Sequence, residues 1–128
     1  MINTVAWFEI ATDDPQSAEK FYGELFGWSF AAGEDLAKGG MDYRRIGYPG
    51  GDGPRGGLYA HGGAFPNHAV FSVVVADTAA TCARVESLGG EVVFKAVGNE
   101  HGPDFAYVRD VSGNLFGVFT PPGAAAGA

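Results

Sequence analysis

The sequence predicts an α+β fold made of two βαβββ modules related by a pseudo-twofold axis, and three observations carry that prediction. The first is a strand, capped turn, amphipathic helix and return at residues 5–28, VAWFEIATDDPQSAEKFYGELFGW. The second is its recurrence at residues 70–90, VFSVVVADTAATCARVESLGG. Asp14 and Asp77, Leu25 and Leu88, and Gly27 and Gly90 are all 63 positions apart, which implies a duplicated βα unit. The third is the run of short, turn-bounded extended segments after each copy, three in each case.

In the first copy, residues 7–10 form the extended run. Asp14 followed by Pro15 starts a helix: the carboxylate accepts from orphan amides, and proline suits the first helical position. Ala18, Phe21, Tyr22 and Leu25 share one face at helical spacing, and Gly27 offers the stop. Residues 28–32 open a second strand, 33–39 a hairpin loop, and 41–48 (MDYRRIGY) a third strand. A turn or loop at 49–54, within a glycine-rich stretch extending to 57, precedes a fourth strand at 56–61. The second copy predicts a strand at 68–75 and a helix at 78–88 with Ala79, Ala83, Val85 and Leu88 along one side. Strands at 91–97, 104–109 and 115–119 follow, with Asp110 to Asn114 as the last turn. The expected organisation is one domain: a first module at 4–61, a linker at 62–67, a second module at 68–121 and a tail at 122–128.

Bulk properties exclude several roles. Apolar and charged fractions of 46% and 18% suit a soluble globular chain, and no apolar run reaches the length of a membrane span. The N-terminus lacks a basic segment followed by an apolar one, so a cytoplasmic location is expected. A formal charge of −7 repels phosphate backbones, which argues against nucleic acid and anionic membranes as partners. No Walker motif or strand-helix GxGxxG supports nucleotide binding. Cys82 is the only cysteine, so no internal disulfide can form, and its place on the second helix predicts a small packed residue.

Strand alternation sets which side chains can do chemistry. With Phe8 and Ile10 toward the helix side, Trp7, Glu9 and Ala11 point to the opposite face. In the second copy Phe71, Val73 and Val75 go to the helix side and Val70, Ser72 and Val74 opposite; near the C-terminus Phe116 and Val118 pack inward while Leu115, Gly117 and Phe119 face away. The non-helix faces of two such curled mixed sheets are expected to form a cleft.

The D-D-P-x-x-A-x-x-F-Y-x-x-x-F-G-W run at 13–28 and the D-x-x-G-N-x-F-G-x-F run at 110–119, with the paired βαβββ units, resemble the vicinal oxygen chelate superfamily. That group contains glyoxalase I, bleomycin-resistance proteins and extradiol dioxygenases, and the resemblance covers nearly the whole chain. Its enzymes hold a divalent metal on cleft-facing His, Glu or Gln side chains. The resemblance puts those positions at Trp7, at Val70, around residues 57–59 and at Gly117, where tryptophan, valine and glycine offer no side-chain donor. No metal and no other cofactor is therefore expected, and the metal-dependent family reactions lose their Lewis acid.

The resulting expectation is a glyoxalase-like or bleomycin-resistance-like protein that binds a small aromatic or amphipathic molecule. Trp7, Glu9, Tyr43, Tyr59, Ser72, Tyr107 and Phe119 are its candidate ligand contacts. Glu9 and His101 are the candidate acid–base residues should there be catalysis. Two alternatives remain: a metal-free acid–base enzyme of secondary metabolism, and a metal-dependent lyase, isomerase or dioxygenase with a non-standard site. The latter would use His68, which keeps the strand face of Val70, with Glu9 or Glu100. A homodimer is expected by the resemblance alone.

Overall fold

The computed structural model describes residues 2–33, 40–100 and 102–122. Most of the expected hairpin loop (34–39), the tail from 123 and the candidate His101 lie outside the described residues. The elements run β1 (Thr4–Thr12), α1 (Pro15–Phe26), β2 (Ser29–Ala32), β3 (Asp42–Gly47) and β4 (Pro54–Ala60). They continue with β5 (His68–Val74), α2 (Thr78–Ser87), β6 (Glu91–Ala96), β7 (Asp104–Arg109) and β8 (Leu115–Thr120). This is α+β with βαβββ used twice. No helix among the described residues is long and apolar enough to cross a membrane.

The chain forms two compact units, Trp7–Ala69 and a second comprising the residues up to Ala6 together with those from Val70 onward. In the first, β1 runs parallel to β4, which pairs antiparallel with β3, and β3 pairs antiparallel with β2. The second repeats the plan: β5 is parallel to β8, β8 antiparallel to β7, and β7 antiparallel to β6. The parallel pair needs a crossover, and the helix supplies it in each unit.

The helix starts follow the local chemistry read from the sequence. The Asp14 carboxylate accepts from the Ser17 amide at 3.2 Å and from the Ser17 hydroxyl at 2.7 Å, with Pro15 in the first turn. Asp77 accepts from the Ala80 amide at 3.0 Å. Gly27 ends α1 in the left-handed region at φ 74°. The end of α2 corrects the strict repeat, because the left-handed residue is Gly89 at φ 93°, not Gly90. The Gly89 and Gly90 amides donate to Glu86 O at 3.1 Å and Val85 O at 2.9 Å, a paired closure that shortens the second helix. Gly90 serves close approach instead: a Cβ there would meet Arg109 O at 2.7 Å.

Both predicted helix faces need correction. Phe21 and Leu25 are 60% and 57% exposed, and α1 rests on its Tyr22 side, with that ring stacked on Trp28 at 5.4 Å. Trp28 in turn contacts Phe8 and Tyr48 at 5.5 and 5.6 Å. On α2, Ala79, Ala83 and Leu88 are exposed, while Thr78 and Cys82 are buried and Val85 packs beside them. That inward line steps four and then three residues, one helical stripe displaced from the predicted one. Cys82 belongs to the core with Val75, Ala106, Val108 and Val118. Thr78 and Thr120 hydroxyls meet at 2.9 Å, and Thr120 also donates to Val75 O at 3.0 Å, so these buried polar groups are satisfied. A smaller correction concerns the glycine-rich loop, since β4 already begins at Pro54, where a strand's first residue tolerates proline.

Candidate functional site

Alternation along β1 sends Phe8 to the Trp28 and Tyr48 rings and Trp7 and Glu9 to the other face. Glu9 is paired across the ladder with Gly57 on β4, and Gly57 with Arg45 on β3. The absent side chain at Gly57 makes room for a ring: the edge and hydroxyl of Tyr43 lie where a Cβ on residue 57 would be. Tyr43 is thereby buried, at 8% exposure.

Four side chains join in a chain of hydrogen bonds. Trp7 Nε1–H donates to the Tyr43 hydroxyl oxygen at 2.8 Å, and the Tyr43 hydroxyl donates to Glu9. Glu9 Oε2 lies 3.1 Å from His68 Nε2, though the two residues are 59 positions apart. Glu9 is only 7% exposed, and a carboxylate so placed requires donors around it. Burial first, and the Glu9 charge second, hold the Tyr43 phenol far above the ordinary phenol range. Tyr43 is thus a neutral donor at any physiological pH. The same two causes, in the same order, raise Tyr59.

Aromatic rings close around the polar pair. Phe65 stacks on His68 with centroids 5.6 Å apart and planes 12° from parallel. Tyr59 contacts Tyr43 at 6.2 Å and Phe65 at 5.8 Å. The result is an apolar wall carrying one carboxylate–imidazole pair, a surface able to hold a planar group and to exchange or share a proton with it.

Of the seven predicted contacts, Trp7, Glu9, Tyr43 and Tyr59 come together here. Ser72, Tyr107 and Phe119 belong to the other unit, where Ser72, Gly117 and Tyr107 form the equivalent cross-strand row. There the Ser72 hydroxyl takes the space over the glycine, 2.5 Å from where a Cβ on Gly117 would sit. Tyr107 is buried and contacts the Phe94 and Phe105 rings at 6.3 and 5.9 Å. Phe119 pairs across the ladder with Phe105. His68 and Arg45 were not among the expected contacts. His68 was legible through strand parity, while Phe65 reaches the site from a loop that no periodicity describes.

The placement of donors bears on a metal. The Tyr43 ring occupies the space that a side chain on Gly57 would take, and a Cβ on Gly117 would require the Ser72 hydroxyl to move. Among the described residues no group of three or more His, Cys, Asp or Glu is placed to hold a metal ion.

Comparison with known proteins agrees with this architecture. The chain is 29% identical over 121 residues to a glyoxylase-like domain-containing protein of Didymella fabae, spanning 93% of this chain and 94% of that one. It is 31% identical over 119 residues (92% of this chain) to CFP32 of Mycobacterium bovis, a glyoxylase by name, of which it spans only 44%. A solved Streptomyces coelicolor methylmalonyl-CoA epimerase in complex with 2-nitronate-propionyl-CoA shares the fold at a TM-score of 0.61 and 15% identity, over 95% of this chain and 99% of that one. Residues 4–118 match the Glyoxalase/Bleomycin resistance protein/Dioxygenase superfamily, and the chain belongs to that superfamily.

Proposed function

We propose that this protein binds a small aromatic or amphipathic molecule against the Trp7–Tyr43–Tyr59–Phe65 wall, without a divalent metal, and that the Glu9–His68 pair orients it. The single observation that carries the reading is the buried Glu9 carboxylate, satisfied by Tyr43 and His68 and bordered by aromatic rings. The donor set supports the metal-free part. Glu9 and His68 are two donors where a zinc ion takes at least three from the protein. The positions that the family resemblance assigns to ligands are Trp7, Val70, residues around 57–59 and Gly117, and neither Gly57 nor Gly117 carries a side chain. The exposed Phe21, Leu25 and Phe26 support an accompanying homodimer, which light scattering on the purified protein tests.

The test uses tryptophan fluorescence. In a Trp28→Phe variant, Trp7 is the sole reporter and sits in the proposed site. A panel of planar aromatic acids, amines and neutral phenols is expected to contain members that quench it saturably, with affinities unchanged by EDTA. Binding that requires added zinc, nickel or manganese would overturn the reading. The Glu9–His68 hydrogen bond also favours a second reading, acid–base catalysis on the bound molecule. Turnover with a bell-shaped pH profile that disappears in Glu9→Gln would select it.

A further inference from the structure

Residues 61–67, between β4 and β5, carry Phe65 onto His68 and are fastened through His61 and Asn67. The Gly63 amide donates to His61 Nδ1 at 2.9 Å, so that nitrogen bears a lone pair. The proton of the neutral ring is then on Nε2, which donates to Asn67 Oδ1 at 2.7 Å. Asn67 Oδ1 also accepts from the Asp13 amide at 3.1 Å, and Asn67 Nδ2 donates to the Asp13 carboxylate at 3.2 Å. The segment is tied at its start by the His61 amide donating to Thr12 O at 3.1 Å. His61 is 8% exposed, and the Phe65 ring packs on it at 4.5 Å before reaching His68.

We propose that residues 61–67 are a strap that holds Phe65 over the Glu9–His68 pair, and that His61 is the positioning residue that latches it. The inference deepens the binding reading and rests on it for its biological meaning. A planar ligand reaching the face of His68 that Phe65 covers must lift the strap, so latch strength sets access. Among the described residues, the strap's far end is fastened through Asn67, to His61 at the strap's own start and to Asp13 on the rest of the unit. Phe65 packs on the rings of Tyr59, His61 and His68. A segment held by few bonds over a packed site opens locally far more often than the whole fold unfolds.

Access is measured on the ligand-free protein, as the rate at which diethyl pyrocarbonate modifies His68, resolved by peptide mass spectrometry. Asn67→Ala removes the latch acceptor, and Phe65→Ala removes the cover. Both are expected to speed His68 modification, Asn67→Ala by at least roughly five- to tenfold, the population change that loss of even one of its hydrogen bonds brings. Unchanged rates in variants that keep the native circular dichroism would overturn the proposal. Should Asn67→Ala fail to fold, Asp13→Ala weakens the same latch from the exposed side, and a smaller acceleration is expected. On the unaltered protein, long-range ¹⁵N–¹H correlation is expected to show His61 neutral and protonated on Nε2. The other tautomer or an imidazolium would overturn the latch. Because none of these readouts uses a ligand, an open strap in a protein that binds no aromatic molecule would refute the binding reading alone.

Discussion

The Tyr43 ring rests on the Cα of Gly57, filling the place from which any side chain at that position would grow. The contact links a backbone choice on β4 to the hydroxyl that Trp7 and Glu9 both need. Gly57→Ala is therefore expected to displace Tyr43 and to destabilise the protein by about 1–3 kcal/mol, the usual range for overpacking a closed site. Urea unfolding followed by Trp7 fluorescence in the Trp28→Phe background measures it. Gly57→His is expected to suffer the same displacement and to gain no thermal shift with divalent ions. A metal-dependent rise in Tm for that variant would mean the position can accept a ligand side chain.

Tyr43 predicts an alkaline signature. Its folded pKa lies above the ordinary value of 10.0, so the stability linked to it is complete below that value. It is lost as pH rises above 10.0 toward the folded value, because the unfolded chain releases the proton first. Absorbance titration at 295 nm is expected to show Tyr43 ionising only with unfolding. Tyr43→Phe leaves the Trp7 N–H and one Glu9 oxygen without their partner, and is expected to cost about 1–3 kcal/mol. A Tyr43→Phe protein as stable as the parent would show that the hydroxyl is dispensable.

Asp14 and Asp110 work in the opposite direction. The side-chain and backbone bonds to Ser17 hold Asp14 below its ordinary 3.8, and bonds from Asn114 do the same for Asp110. Their contribution is present above pH 3.8 and fades as pH falls through the lower folded values. Asp14→Asn keeps a capping oxygen but cannot titrate, so acid unfolding of the variant is expected to be less steep in pH. An identical acid limb in the two proteins would remove Asp14 from the account.

Cys82 is 2% exposed on the inner line of α2, and burial pushes its thiol upward. It is expected to resist Ellman's reagent in the folded protein and to react at once in denaturant. Fast labelling under native conditions would place it on a mobile or open helix and undo the core described around it.

Acid and amide chemistry within four or five residues decided the helix starts, so Asp14–Pro15 and Asp77 were legible without a fold. The eight strands among the described residues were legible for a related reason: period-two alternation is a property of the backbone, and it places Trp7 and Glu9 opposite Phe8 wherever the strand lies. The helix faces were less legible. Phe21 and Leu25 satisfy helical spacing as well as Tyr22 does, and only packing against Trp28 decided which side turned inward. Gly89 and Gly90 likewise differ in role because Arg109, nineteen or more positions away, crowds one of them.

The sequence by itself determined the duplicated α+β plan, the helix N-caps, the strand parity and the superfamily, since each rests on local spacing, on motifs or on the constant offset between the two copies. The tertiary structure decided the site. Glu9 meets His68 and Tyr43 fills the space over Gly57 through contacts between residues well apart in the chain, and Phe65 covers the imidazole from the loop just before β5. Such pairings depend on which strands lie side by side and in what register. No local preference encodes that register; it is set by the burial of the whole sheet face at once.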